Sequence, residues 1–206
     1  MESEAAKALT HSTQQEKTAL RKRIQADLKA MTPEARAAAS IQACALLEQQ
    51  SVWRDARAIL FFAPLAGEPD LWRLVEDSVA AGKLIALPRF SREHQAYVAA
   101  LIENTHAHIN HGEFGIREPH ADCAIIELNR LDLMLVPGVA FDLDGRRLGR
   151  GKGYYDRLLS KFDGVACGVA FDQQIVPRVP SEAHDARVNC VLTPARWHPV
   201  PVSSRF

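Results

Sequence analysis

Apolar residues follow two different periods along the chain. Between residues 20 and 31 they recur at helical spacing, so the sequence predicts an amphipathic helix from about Gln14 onward. Thr32 then offers an N-cap and Pro33 a first helical residue, and the alanine-rich segment that follows predicts a second helix. Residues 1–13 have no such period, and we expect them to form a flexible N-terminal tail.

From residue 56 onward, short apolar runs alternate with helical patterns. The runs ARAILFFAPL and LIALP predict two strands, and the segment between them predicts a helix closed by Gly82. This order favours a parallel crossover connection. Further strands are predicted at QAYVAALI, LDLMLVPGVAF, GVACGVAF and ARVNCVLT, with a helix at YYDRLLSKF and an irregular surface loop at HGEFGIREPHADC. We therefore expect residues 14–206 to form a single α/β domain, a three-layer αβα sandwich with a mostly parallel sheet.

Composition narrows the class of protein. Lysine plus arginine and aspartate plus glutamate both number 25, so no global field attracts nucleic acid or anionic lipid, and we expect neither as a partner. No apolar run is long enough to cross a bilayer, and the polar N-terminus has no signal-peptide core. The four cysteines are far apart in sequence, which predicts reduced core thiols in a cytoplasmic protein.

The segment RLGRGKGYYDRLL carries the strongest chemical signal. It lies between the most strongly apolar predicted strand and a predicted helix, where open α/β sheets bind their ligands. Gly149, Gly151 and Gly153 allow backbone N–H groups to approach an anion, and the N-terminus of the helix adds its dipole. Arg150 and Lys152 add full positive charges. These features predict a phosphate site.

Less specific interpretations of the same residues remain open. A glycine-rich loop is also typical of a simple turn, in which Lys152 and Asp156 form a helical i, i+4 ion pair. The spacing does not fit a Walker A loop, because Gly153 stands where that motif has serine or threonine. The basic run RRLGRGK is a weak indication of nucleic-acid binding, since the overall charge is neutral and no aromatic residue interrupts the run. The histidines of HAHINHGE suggest a metal cluster, but no carboxylate or cysteine completes a convincing set of ligands, so we interpret the segment as a polar loop.

Two cations of the first predicted helix give independent evidence. Lys17 and Arg21 fall on the apolar stripe that faces the protein, where an unpaired charge is costly. Each therefore needs an anionic partner. Helix geometry alone does not distinguish a structural carboxylate from a ligand phosphate.

The chain resembles the 5-formyltetrahydrofolate cyclo-ligase family. The resemblance runs from about Lys17 to Pro194 and rests on PGVAFDLDGRRLGRGKGYYDRLL, KTALR, LPRF, FGIREP and VPSEAHD. It implies an ATP-dependent enzyme, expected to be monomeric, that converts 5-formyltetrahydrofolate to 5,10-methenyltetrahydrofolate and releases ADP and phosphate. The implied route phosphorylates the formyl oxygen, after which N10 attacks. ATP and Mg²⁺ are the implied co-substrate and ion.

The resemblance also implies a set of site residues, of which Arg150 and Lys152 are catalytic. The implied ATP contacts are Lys17, Arg21, Gly149, Arg150, Gly151, Lys152, Gly153, Tyr154 and Tyr155. The implied folate contacts are Phe62, Glu68, Phe114 and Tyr154, and the implied magnesium ligands are Asp156 and Asp185. Glu68 is equally natural as an acidic residue at a helix N-terminus, and Phe114 as a core aromatic residue.

The sequence departs from the family pattern at two places. Asn189 stands where many relatives have a second aspartate, and the connection before Glu68 differs in length from that of some relatives. Two other functions therefore stay open. One is an ATP-binding paralogue that acts on a different carbonyl substrate, and the other is a non-catalytic module that binds nucleotide or RNA.

Overall fold

The computed structural model describes residues 4–93, 95–111, 117–182 and 185–201. The helices among these residues are α1 (Glu4–Lys29), α2 (Pro33–Glu48), α3 (Ser51–Asp55), α4 (Trp72–Ala80) and α5 (Tyr154–Leu159). The first six strands are β1 (Ala58–Leu60), β2 (Leu84–Ser91), β3 (Ala96–Ile102), β4 (Ile109–His111), β5 (Arg117–Pro119) and β6 (Ile125–Ile126). The remaining strands are β7 (Leu133–Pro137), β8 (Ala140–Phe141), β9 (Arg147–Leu148), β10 (Val165–Val169), β11 (Cys190–Leu192) and β12 (Trp197–Pro199).

Eight strands form one mixed sheet in the order β12-β11-β10-β7-β1-β2-β3-β6. The strands from β11 to β2 are parallel to their neighbours, whereas β12, β3 and β6 pair antiparallel at the edges. The predicted crossover is confirmed, because β1 and β2 are parallel with α4 between them in sequence. The mostly parallel sheet predicted from the sequence is confirmed as well.

The central strands are buried on both faces, which explains their continuous apolar runs. On β7, Leu133 and Leu135 pack in the cluster that includes side chains of α2, α3 and α4. Met134 and Val136 point to the other face, in the cluster that includes side chains of α5. Ile24 of α1 packs in a third cluster, against the β8 and β9 hairpin and the segment after β10. The three-layer αβα arrangement is confirmed.

Local sequence signals set several helix ends as predicted. Thr32 is the N-cap of α2, where its hydroxyl accepts a hydrogen bond from the backbone N–H of Ala35 at 3.1 Å. Pro33 is the first residue of that helix. Gly82 follows the C-cap of α4 with φ +77°, the left-handed conformation that glycine adopts without a steric cost.

Two predictions of secondary structure are wrong. Residues 4–13, which we assigned to the tail, are helical, since α1 begins at Glu4. Alanine, glutamate, lysine and leucine favour a helix there, but they form no apolar stripe that the hydrophobic period could detect. Part of the irregular loop is also a hairpin, because Arg117–Pro119 pairs with Ile109–His111. Strands of three residues are too short to show an alternating pattern.

The state of the cysteines and the character of the helices agree with what the composition predicted. All four thiols are free and buried, as the sequence predicts. Burial raises the pKa of the Cys44 thiol to about 11. In the part of the chain that the structure describes, no helix combines the length and the apolar character that crossing a bilayer requires.

Candidate active site

Two neighbouring cavities are both lined by residues of the segment 147–158, and the first of them also lies beyond the carboxyl ends of β1 and β7. The first, here called the apolar cavity, has a volume of about 280 Å³ and is lined by residues that include Leu65, Glu68, Tyr97, Arg150, Tyr154 and Tyr155. The second, here called the polar cavity, has a volume of about 480 Å³ and is lined by residues that include Gln14, Lys17, Arg21, Gly151, Arg157 and Asp185. Both lie where open α/β sheets bind ligands.

The glycine-rich loop between β9 and α5 separates the two cavities. Gly151 has φ +97° and Gly153 has φ +64°, and both values favour glycine because a Cβ is strained in the left-handed region. Five residues line both cavities and are here called the shared wall: Arg147, Gly149, Lys152, Gly153 and Asp156. We expected the loop to follow β7 directly, but the hairpin of β8 and β9 lies between them.

Lys17 is held by two carboxylates at the edge of the polar cavity. Its Nζ donates to Glu182 Oε2 and to Asp185 Oδ2, both at 2.7 Å, and its side chain is 6% exposed. Burial disfavours the charged form of Lys17, but the hydrogen bonds to Asp185 and Glu182 outweigh this effect, so the pKa of the lysine is raised. The anionic partner required by the sequence is thus a structural carboxylate pair.

Arg21 joins α1 to the glycine-rich loop. Its Nε donates to the carbonyl oxygen of Gly149 at 2.9 Å, and its side chain lines the polar cavity beside Gly151. The structure therefore brings together the helix and the loop, which the sequence implicated independently. They are 128 positions apart in the chain.

Arg147 is a site residue that the sequence analysis missed. Its Nη2 donates to Asp156 Oδ1 at 2.7 Å, and the Arg147 side chain is only 3% exposed. Its Nε is buried and has no hydrogen-bond partner among the described residues. Asp156 thus pairs with Arg147, and the alternative Lys152 to Asp156 ion pair does not form. The one signal in the sequence was a cation next to Leu148 at the start of the glycine-rich loop.

Glu68 and Arg150 form an ion pair in the apolar cavity. Arg150 donates to Glu68 Oε1 from Nη2 at 2.8 Å and from Nε at 3.2 Å, while the backbone N–H of Leu65 donates to Oε2 at 2.9 Å. Glu68 is not an acidic residue of a helix N-terminus, since α4 begins at Trp72. Arg150, which was predicted as an ATP contact, lines the apolar cavity together with Glu68.

Aromatic side chains form one side of the apolar cavity. The rings of Tyr97 and Tyr154 meet edge to face with centroids 4.7 Å apart, and Phe90 lies 5.6 Å from Tyr97. Burial raises the pKa of both Tyr97 and Tyr155, so both phenols stay protonated at neutral pH. Tyr154, predicted as a contact of both ATP and folate, and Tyr155, predicted as an ATP contact, both line the apolar cavity. Tyr97 was not among the site residues predicted from the sequence.

Two positions singled out in the sequence are not brought to the described cavities, and a third lies outside the described residues. Phe62 is 3% exposed and packs in the hydrophobic core instead of lining either cavity. Phe114 lies outside the described residues. Asn189 precedes β11, and its side-chain oxygen accepts a hydrogen bond from Ala166 N at 2.8 Å, which places it at the opposite, amino end of the parallel strands.

Both predicted magnesium ligands line the polar cavity, and both already contact a cation. Asp156 pairs with Arg147, and Asp185 pairs with Lys17. Over the described ranges, no group of three or more histidine, cysteine, aspartate or glutamate side chains could hold a metal ion. Mg²⁺ commonly uses one or two carboxylates and takes its other ligands from phosphates and water. The residues therefore fit an ion that arrives with a phosphate ligand, and they do not form a protein-only cage.

Comparison with known proteins gives a consistent result. Residues 13–194 match the model of the 5-formyltetrahydrofolate cyclo-ligase family. The chain is 30% identical over 192 residues to 5-formyltetrahydrofolate cyclo-ligase of Mus musculus, a match that covers 85% of this chain and 92% of the relative. It is 31% identical over 172 residues to the protein of the same name from Escherichia coli K12, covering 82% and 94%.

Solved structures agree with the sequence comparison. The NMR structure of Aquifex aeolicus 5,10-methenyltetrahydrofolate synthetase superimposes with a TM-score of 0.81 at 30% identity, over 92% of this chain and 95% of the other. A 5,10-methenyltetrahydrofolate synthetase from Mycoplasma pneumoniae shares the fold, with a TM-score of 0.69 at 20% identity, over 86% and 98% of the two chains.

Proposed function

The chain belongs to the 5-formyltetrahydrofolate cyclo-ligase family, whose members are ligases, and from this premise we propose that it closes the ring of 5-formyltetrahydrofolate to give 5,10-methenyltetrahydrofolate while ATP is cleaved to ADP and phosphate. The observation that carries the proposal is the shared wall. A transfer between two ligands requires their reacting atoms to meet. Here an apolar and a polar cavity meet at one loop.

The folate occupies the apolar cavity in this proposal. Tyr97 and Tyr154 offer aromatic surface to a flat ring system. Glu68 accepts hydrogen bonds from donors of the pterin, and it is suited to this role because Arg150 and the N–H of Leu65 already fix its carboxylate. Such fixed polar groups in a mainly apolar cavity orient a ligand.

The triphosphate of ATP occupies the polar cavity. Arg21 and Lys152 supply positive charge there, and the backbone of the glycine-rich loop can approach a phosphate closely. The full charges matter more than the helix dipole, since α5 has only six residues. Asp156 and Asp185 would hold the Mg²⁺ that accompanies ATP, and this ion would neutralise charge on the phosphates.

The reaction then needs positioning and charge stabilisation more than covalent help from the protein. The formyl oxygen forms a bond to the γ-phosphorus as the bond from phosphorus to ADP breaks. N10 next attacks the formyl carbon and loses its proton, and phosphate leaves with the former formyl oxygen. Lys152 is the residue we assign to the transferring phosphoryl group, because its side chain lines both cavities. Arg150 acts beside it by holding Glu68.

A single assay tests the proposal. The protein is mixed with ATP, MgCl₂ and 5-formyltetrahydrofolate, and ADP release is measured together with the near-ultraviolet absorbance of the methenyl product. We expect one ADP for each product molecule. ATP binding without a methenyl product would instead favour a paralogue with a different carbonyl substrate, and salt-sensitive RNA binding without ATP cleavage would favour a non-catalytic module.

A further inference from the structure

Arg117 lies at the rim of the apolar cavity and has no role in the proposed reaction. It is the first residue of β5, it lines the cavity, and its side chain is 32% exposed. Arg117 contacts Asp70 and Trp72, which belong to the same chain segment as Glu68. The Cα atoms of Glu68 and Asp70, two residues apart, are separated by at most about 7 Å. Arg117 and the carboxylate assigned to the pterin therefore line the same cavity, and Arg117 is the more exposed of the two side chains.

The guanidinium of Arg117 lies over an aromatic ring. Its Cζ is 4.2 Å from the centroid of Trp72, which is within the range of a cation–π contact. A stacked guanidinium keeps the N–H groups of its edge available for a carboxylate, and it loses less freedom when it binds one. The stack with Trp72 therefore prepares Arg117 for a planar anion.

The charge of Arg117 is weakly compensated within the protein. The carboxylate within 4 Å of it in the described part of the chain is that of Asp70, with 3.9 Å from Nη1 to Oδ1. That oxygen accepts a hydrogen bond from the N–H of Trp72 at 2.8 Å, and the Asp70 side chain is 55% exposed. Glu118 also lines the cavity, but as the next residue of the strand its side chain starts from the opposite face to that of Arg117, and no ion pair joins the two.

We propose that Arg117, stacked on Trp72, binds a carboxylate of the glutamyl tail of the folate substrate. This inference rests on the proposed function, since it assigns the tail of the same ligand whose pterin occupies the cavity. A folate carries its anionic groups at the end remote from the pterin, and the tail must leave the cavity at its rim. Arg117 makes the site selective for glutamylated folates over analogues that end at the p-aminobenzoyl group.

The test compares two substrates in the intact protein: 5-formyltetrahydrofolate triglutamate and 5-formyltetrahydropteroate, which has no glutamate. For Arg117→Gln we expect KM for the triglutamate to rise about 5- to 20-fold, less than for a fully buried charged hydrogen bond because the side chain is partly exposed. KM for the pteroate and kcat for both substrates should stay within twofold. Arg117→Lys keeps the charge without the planar fork and should give a smaller rise.

Arg130→Gln is the matched control, since Arg130 is exposed and lines neither cavity, and it should change nothing. An equal rise in KM for both substrates would show that Arg117 only supports the fold of the rim. An unchanged KM for the triglutamate in both Arg117 variants would show that no carboxylate binds there. Absence of methenyl product from either substrate in the parent protein would instead refute the proposed function itself.

Discussion

Replacing Lys152 with alanine removes a positively charged side chain that lines both cavities. The side chain is exposed, lines the shared wall, and has no carboxylate within 4 Å among the residues described. The Lys152 side chain therefore contributes little to the stability of the protein without ligands. We expect Lys152→Ala to change the free energy of unfolding by less than about 0.5 kcal/mol. Any large effect of Lys152→Ala must arise when the phosphates are bound.

The expected loss of activity follows from that position. Removing one preorganised group that stabilises developing charge typically costs about 10² to 10³ in rate, or about 3 to 4 kcal/mol. We expect kcat/KM of Lys152→Ala to fall by this factor, measured by methenyl absorbance and ADP release together. Lys22→Ala is the control, because Lys22 is exposed on α1 and lines neither cavity. Activity within twofold of the parent would remove Lys152 from the mechanism.

Three further substitutions test the roles of the acidic and basic residues. Glu68→Gln should weaken folate binding about 10-fold and leave ATP binding unchanged in calorimetry, and the reverse pattern would show that Glu68 serves the nucleotide. Asp156→Asn removes the carboxylate paired with the buried Arg147, so urea unfolding should show a loss of about 2 to 3 kcal/mol, together with weaker nucleotide binding; unchanged stability would contradict the pairing. Lys17 has a pKa raised above its ordinary value of 10.5, so its ion pairs stabilise the fold below that pH and lose their effect as the pH rises through the raised pKa. The gap in unfolding free energy between the parent and Lys17→Met should therefore shrink above about pH 10.5, and a gap that stays constant to pH 12 would refute this reasoning.

The parts of the fold that the sequence predicted are those with a local or periodic signal. β7 was recognised because a central parallel strand is buried on both faces and forms an unbroken apolar run. Thr32 and Gly82 were recognised because capping depends on one side chain and its immediate backbone. The hairpin of β4 and β5 gave no such signal, since a register of three residue pairs contains too few positions to define a period.

The site was predicted in outline but not in its pairings. The segment RRLGR contains three arginines that the sequence cannot distinguish, and each has a different partner. Arg146 contacts Asp142 and Asp144 in the hairpin turn, Arg147 contacts Asp156, and Arg150 reaches the loop after β1. Charge and spacing gave the position of an anion site. The assignment of each cation to one cavity depends on the path of the backbone through the glycines.

That path also explains how one short loop can contact two ligands. In a helix or strand the period of the element sets the direction of each side chain, whereas in an irregular loop the backbone angles direct each residue separately. In the loop, Arg150 lines only the apolar cavity, Gly151 only the polar cavity, and Lys152 both. The left-handed φ values of Gly151 and Gly153 reverse the chain on either side of Lys152. The glycines therefore matter more for the path of the backbone than for its flexibility. That path directs the Lys152 side chain toward the point where the two ligands of the proposed reaction would meet.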